Sequence, residues 1–410
     1  MAIVTSDRAA ALALDEADPL REFRTRFVFA DDDEAIYLDG NSLGRLPRET
    51  PKRVAELIER AWGERLIRAW SEGWLELPLE IGGRIGSALL GAGPGQVAIA
   101  DSTTVCFYKL ASAAIQARPG RTEIVTDRDN FPTDRYVLES LAERHGMRIR
   151  WLEADPHRGP DPAQVKELVG AQTALVTFTH VAYRSAFVLD MPEITRLAHD
   201  AGALMLWDLS HSIGAVPIQL DADEVDLAVG CTYKYLNGGP GAPAFLYVAK
   251  RHQGDLRQPI WGWLGRRDPF EMPQGYQPAE GITSMLSGTP PAIALAAVSA
   301  GVDLVIEAGI DAIHRKAMAL TDYAIVLSDE LLAPLGVSVG SPREATRRGA
   351  HVALVHPGAR ELSKTLIDDG VVIDYRSPDV IRVGLSPLTT SFTDVWDGLS
   401  RLREILSARG

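Results

Sequence analysis

Between residues 97 and 248 a short apolar run alternates again and again with a helical pattern, and this alternation limits the fold more than any other feature. The strand-like runs are 97–100, 123–126, 148–152, 174–179, 203–207, 227–230 and 244–248. Most are apolar along their whole length, so both faces must be covered, as in a mainly parallel seven-stranded sheet with helices on each side. Helical patterns at 104–117, 134–145, 162–168 and 192–201 supply those covering layers. At 410 residues the chain exceeds what one hydrophobic core organises. A second pattern begins with an Ala-rich helix at 291–307 and a helical stretch at 310–332, followed by strand-like runs at 337–339, 351–355, 371–374 and 380–385. It reads as a smaller α+β domain. Pro, Gly and Trp concentrate in 258–291, an ordered loop joining the halves. The expected organisation is an N-terminal segment at 1–50 that packs with the small domain and the active site, a large domain at 51–290 and a small domain at 291–410. No internal repeat or low-complexity tract interrupts it.

The net charge of −13 argues against attraction to nucleic acid or an anionic membrane, both of which need a basic surface. Only two cysteines occur, Cys106 and Cys231, with no Cys/His cluster, so neither a disulfide framework nor a metal site is expected. That usage fits a reducing cytoplasm. The apolar stretch from Ala9 to Leu14 is too short and too charged at its flanks for a signal peptide, and no window reaches a membrane span.

In a doubly wound sheet ligands sit at the carboxyl ends of the strands. The run 227–230 leads into Cys231-Thr-Tyr-Lys-Tyr-Leu-Asn-Gly-Gly-Pro-Gly241, where Lys234 lies between two tyrosines and ahead of a glycine-rich turn. Partial desolvation there favours a neutral, nucleophilic amine, although most lysines at such places are solvated. The preceding run ends at Asp208, with His211 three residues on; Asp208 is either a cap or a carboxylate that keeps a heterocyclic nitrogen protonated. Asp101-Ser-Thr-Thr104 follows the first run and opens a helix, as a plain cap or as a phosphate cradle. Phe131-Pro-Thr-Asp134 puts an aromatic ring at another sheet end, as core or stacked on a flat cofactor. Arg382, inside an apolar strand, requires an anionic partner, either a substrate carboxylate or an internal aspartate. The tryptophans of Trp261-Gly-Trp-Leu-Gly265 either pack the long loop down or donate to phosphate. The early segment Tyr37-Leu-Asp-Gly-Asn-Ser-Leu-Gly44 implies tight turns with polar groups on offer. Gly91-Ala-Gly-Pro-Gly95 follows a helical pattern, not a strand, and is no dinucleotide motif.

Together these segments resemble the kynureninases, pyridoxal 5'-phosphate enzymes of the aminotransferase-like type I fold. The resemblance runs over nearly the whole chain through Tyr37–Gly44, Phe131–Asp134, Trp207–His211, Tyr233–Gly241 and Gly262–Gly265, in the family's order. It implies that Lys234 carries the cofactor as a Schiff base, that Asp208 pairs with the pyridinium nitrogen and that Phe131 stacks on the ring. Thr103, Thr104, Asp134, Thr179, His211 and Tyr233 are implied as further cofactor contacts. Trp263 and Thr289 are implied to arrive from a second subunit, which makes the expected assembly a homodimer with shared active sites. Arg382 matches the arginine that holds the substrate's α-carboxylate, with Asn41, Ser42, Trp70 and Gly288 as further substrate contacts. The implied reaction is hydrolysis of the Cβ–Cγ bond of L-kynurenine to anthranilate and L-alanine, in kynurenine breakdown, with Tyr233 as proton relay to Cβ. At Trp70, Gly288 and Thr289 the ring pocket lacks polar partners that animal-type members carry, which favours kynurenine over 3-hydroxykynurenine. The departures are small: Thr103 stands where some members have Leu, and Leu264 where some have Phe. A desulfurase-like lyase of the same fold needs a loop cysteine after the lysine, and none follows Cys231. A silent homologue is expected to lack Lys234 or Asp208, and both are present.

Overall fold

The computed structural model describes residues 7–29, 35–157 and 159–409; the acidic stretch before Tyr37 and the extreme ends of the first and last segments lie outside the described residues. The chain opens with α1 (Arg8–Ala17), β1 (Ile36–Tyr37), α2 (Thr50–Glu56) and α3 (Leu77–Leu89). The alternating region follows as β2 (Val97–Ala100), α4 (Thr103–Gln116), β3 (Glu123–Asp127), α5 (Pro132–His145), β4 (Arg148–Leu152), α6 (Pro162–Leu168), β5 (Thr173–Thr179), α7 (Met191–Asp200), β6 (Leu204–Asp208), β7 (Leu227–Gly230) and β8 (Ala244–Val248). The remainder is α8 (Ala292–Ala308), α9 (Ile310–Leu327), β9 (Ser338–Val339), β10 (His351–Val355), α10 (Ala359–Asp368), β11 (Val371–Val372), β12 (Asp374–Arg376), β13 (Val380–Gly384) and α11 (Phe392–Ser407).

The large sheet has seven strands in the order β2-β8-β7-β6-β5-β3-β4, and β8 is the one strand that runs against its neighbours. Strands β2, β5, β6, β7 and β8 are buried at every position, as unbroken apolar runs require. Register places Thr179 beside Asp208 and Asp208 beside Val229, so the carboxyl ends of β5, β6 and β7 form one level rim. Asp208 is the last strand residue, one position inside the sequence expectation, because its backbone still pairs with both neighbours.

A four-stranded antiparallel sheet in the order β12-β13-β10-β9 builds the C-terminal unit, with α1, α9, α10 and α11 supplying its core. The expected run at 371–374 divides. Val371–Val372 pairs in parallel with β1, whereas Asp374–Arg376 changes partner and joins β13. The N-terminal segment is thereby stitched to the C-terminal unit. Helix α8 lies within 291–410 yet buries Leu295, Val298, Val302 and Val305 in the core beneath the large sheet, against α2 and α3. Among the described residues no single helix is long and apolar enough to cross a membrane, and the apolar α8–α9 pair is bent by 83°.

Candidate active site

Lys234 sits in the turn after β7 and is 9% exposed. Its backbone is pinned from several directions: Asn237 N donates to the Lys234 carbonyl (3.0 Å), Gly238 N to Thr232 O (2.9 Å) and Gly44 N to Tyr233 O (2.8 Å). A Cβ on Gly44 would run into the Lys234 carbonyl and Asn237, so only glycine lets the N-terminal segment lie on this turn. The Lys234 Nζ is 2.9 Å from His211 Nε2, 5.9 Å from the Phe131 ring centre and 6.0 Å from that of Tyr233. Burial lowers its pKa, with Cys231 and Asp208 pulling the other way. The shift is in the direction that a nucleophilic amine needs.

Asp208 accepts from Ser210 N (2.8 Å) and Ser210 Oγ (2.6 Å). Burial raises its pKa, while Ser210 and Lys234 hold it down. Asp134, on the first turn of α5, faces it: burial first and the Asp208 charge second push Asp134 well above the usual carboxylate range, and its Oδ2 is buried without a partner. Of the two facing carboxyls, Asp134 is pushed further toward the protonated form, while Ser210 and Lys234 favour charge on Asp208. Phe131 stands edge-on to Tyr183 at 5.4 Å. The Thr179 hydroxyl is turned onto backbone, donating to Val181 O (3.2 Å) and Asp208 O (3.4 Å). Burial drives His211 well below its ordinary pKa, and Lys234 and Arg382 deepen the shift. Burial likewise pushes the Tyr233 phenol up.

Thr103 and Thr104 open α4 just beyond β2, with Ser102 capping Val105 N at 3.4 Å and Asp101 in the left-handed region at φ 36°. The N-terminal amides of α4 are turned to the same carboxyl-end face of the sheet.

Arg382 on β13 is 1% exposed, and its anionic partner is internal. It pairs with Asp374, directly across the β12–β13 ladder, and donates to Tyr183 O (2.7 Å) and Ser42 Oγ (3.0 Å). With its amide turned to the orientation that satisfies both ends, Asn41 donates to Asp39 Oδ1 (3.2 Å) and accepts from Arg382 Nε (3.3 Å). Arg376 reaches the same Asp374 oxygen at 2.8 Å, so two guanidiniums share one carboxylate. Asp39, raised by burial to about 6, borders the cluster.

The other expected residues are Trp70, Trp263, Gly288 and Thr289. Trp70 packs edge-on to Trp263 at 6.1 Å, and Trp263 to Phe270 at 5.8 Å. Gly288 and Thr289 are exposed and line a cleft of about 320 Å³ together with Asp101, Ser102 and Leu264. Among the described residues no hydrogen bond or ring contact joins this group to the one around Lys234. Asp374, Arg376, Tyr183 and His351 were missed by sequence reasoning. Asp374 and Arg382 flank a short hairpin, and that spacing was the available signal; nothing local marks His351.

A fold with this strand order and a buried lysine on the rim beside a strand-end aspartate defines the type I pyridoxal-phosphate class. Solved structures agree at the level of fold: a cysteine desulfurase from Thermococcus onnurineus NA1 has a TM-score of 0.79 at 18% identity over 92% of this chain and 95% of its own. The cystine C-S lyase C-DES, solved with its product cysteine persulfide, gives 0.79 at 18% over 90% and 98%. Sequence comparison is more specific. Residues 313–402 match the kynureninase C-terminal domain. A kynureninase of Burkholderia pseudomallei (strain 1106a) is 43% identical over 97% of this chain and 95% of its own length, and one of Pseudomonas fluorescens is 40% identical over the same shares. The chain belongs to the kynureninase family.

Proposed function

We propose that this protein is a pyridoxal-phosphate-dependent kynureninase that hydrolyses L-kynurenine to anthranilate and L-alanine. The observation that carries the reading is a buried amine at Lys234 set against a buried Asp208–Asp134 pair. The residues fit the cofactor. Asp134 Oδ2 is buried and unpartnered, and the Asp208 carboxylate at the end of β6 suits a protonated ring nitrogen. Asp208 holds that proton, Phe131 stacks, and Thr103, Thr104, Thr179, His211 and Tyr233 complete the cradle. Pyridoxal phosphate, when bound, supplies the electron sink for negative charge developing at the substrate's Cα and Cβ.

Lys234 removes the Cα proton as its general base. Arg382, with Asn41 and Ser42, orients the α-carboxylate, and Asp374 keeps the buried guanidinium from standing unpaired. Water adds to the side-chain carbonyl carbon, the Cβ–Cγ bond breaks, and the oxygen leaves in the anthranilate carboxylate. Tyr233, held protonated by burial, delivers the proton that completes the alanine methyl group. A desulfurase reading is disfavoured because Cys106 and Cys231 are both buried and neither follows the lysine turn.

The working unit is a homodimer in the cytoplasm, with Trp70, Trp263, Gly288 and Thr289 completing the partner's site. The absence, among the described residues, of any hydrogen bond or ring contact between them and Lys234 within one chain supports this. So does an apolar groove of about 680 Å³ lined by Leu46, Val54, Trp62 and Ile293, with Trp62 54% exposed. The three-segment organisation at 1–50, 51–290 and 291–410 is proposed with α8 packed on the larger body. The sparsely polar ring pocket favours kynurenine over 3-hydroxykynurenine, by about a hundredfold at most. Anthranilate fluorescence on addition of L-kynurenine tests the reading: a signal in the wild type that disappears in Lys234→Ala supports it, and a cofactor-loaded wild type that yields none contradicts it.

A further inference from the structure

Among the described residues, His351 combines complete burial with two ring nitrogens that lack a hydrogen-bond partner. It opens β10 in the C-terminal sheet, in register with Gly384 and so two positions from the partner of Arg382. Its ring lies 5.5 Å from that of His211, centre to centre, tilted by 53°. His211 places Nε2 2.9 Å from Lys234 Nζ and leaves its own Nδ1 buried and unpartnered. A line of three side chains therefore runs from the lysine of the large sheet into the small one.

Unpaired buried donors are costly, and two facing imidazoles remove the cost when one gives N–H and the other accepts, directly or through one water. The main chain of Tyr183 and Arg184 lies against His351, short of hydrogen-bond geometry. A ring that turns its N–H toward those carbonyls presents a lone pair on its other nitrogen. The charged and titratable groups facing the two histidines are Lys234, Arg382 and Arg376, with Asp208 and Cys231 facing the lysine. Burial and these cations keep both rings neutral, so each has one donor and one acceptor nitrogen.

We propose that His351 is a positioning residue that accepts the Nδ1–H of His211 and so fixes the tautomer whose Nε2 lone pair faces Lys234. Where Nε2 is the acceptor it stabilises a proton on Nζ; where it is N–H it opposes one. Each subunit's small sheet thereby sets the proton affinity of the lysine nitrogen. The inference rests on the proposed function only in treating that nitrogen as the point of cofactor attachment.

The test is the pH titration of the near-ultraviolet to visible band of the cofactor-loaded protein. In His351→Leu the midpoint falls by half a pH unit or more, about threefold in proton affinity. In His351→Gln, which can still accept, it stays at the wild-type value. A wild-type midpoint in His351→Leu overturns the proposal. Nitrogen-15 NMR of the histidines in the wild type, with and without added pyridoxal phosphate, gives a second reading independent of that variant's folding. His211 is expected as the Nδ1–H tautomer, and an Nε2–H signal overturns the proposal even if the band is normal. A wild type that forms no band contradicts the cofactor reading instead, and the NMR result still decides the role of His351.

Discussion

Asp127 ends β3 in an almost dry environment, where burial first and Asp129 second lift its carboxyl to about 7 from 3.8. The folded state therefore prefers it protonated. Its contribution to stability is whole below the unfolded value, falls as pH rises from about 4 to 7, and is lost above that, by up to about 4 kcal/mol. Asp127→Asn keeps the acceptor oxygen and removes the charge, so melting temperature is expected to rise at pH 8 and to change little at pH 4. At the site the corresponding substitution acts on chemistry. Asp208→Asn keeps the shape but gives up the charge that holds a ring nitrogen protonated, and kcat is expected to fall about 100-fold or more with the cofactor still bound. Steady-state kinetics beside an absorbance scan separate the two effects. That Lys234, Asp208 and Phe131 gather on one rim was legible in the sequence because strand ends there are punctuated by polar and aromatic residues, and Arg382 stood out as a charge inside an apolar strand. The raised pKa of Asp134 and the Asp374 clamp on Arg382 were not legible, since each depends on which carboxylates the fold brings face to face.

Among the elements, α8 shows how packing reverses a propensity argument. Gly301 sits inside an Ala-rich helix, where Ala would favour the helix by about 1 kcal/mol. A Cβ there meets the Leu236 carbonyl and Asn237, because the helix lies directly on the lysine turn. Overpacking of this kind costs roughly 1–3 kcal/mol. Gly301→Ala is thus expected to lower the melting temperature and weaken cofactor retention, read by calorimetry and by dialysis followed by absorbance. An unchanged protein would show that α8 and the turn can separate freely. The seven strand-like runs gave the sheet nearly to the residue, since unbroken apolar stretches have few other uses. The divided run at 371–374 was not legible, because a change of strand partner leaves no local trace.

For the whole molecule, no described hydrogen bond or ring contact joins Lys234 to the aromatic group of Trp70 and Trp263 within one chain, and the dimer reading rests on that. A variant lacking Lys234 and one inactivated at Trp263, mixed and allowed to exchange subunits, should regain about a quarter of wild-type activity, since half the dimers are mixed and each has one intact site. No recovery would place Trp263 and Lys234 of one chain in the same site. The seven-stranded sheet could be read from periodicity, whereas the burial of α8 in the core beneath it could not, because an apolar helix does not say which core it joins. The central claim is that Lys234, and no other amine, carries the cofactor. Borohydride reduction of the cofactor-loaded protein, followed by peptide mass spectrometry, tests it directly. A stable pyridoxyl adduct on the peptide containing Lys234 is the expected result, and an adduct on another lysine with Lys234 unmodified would contradict the account.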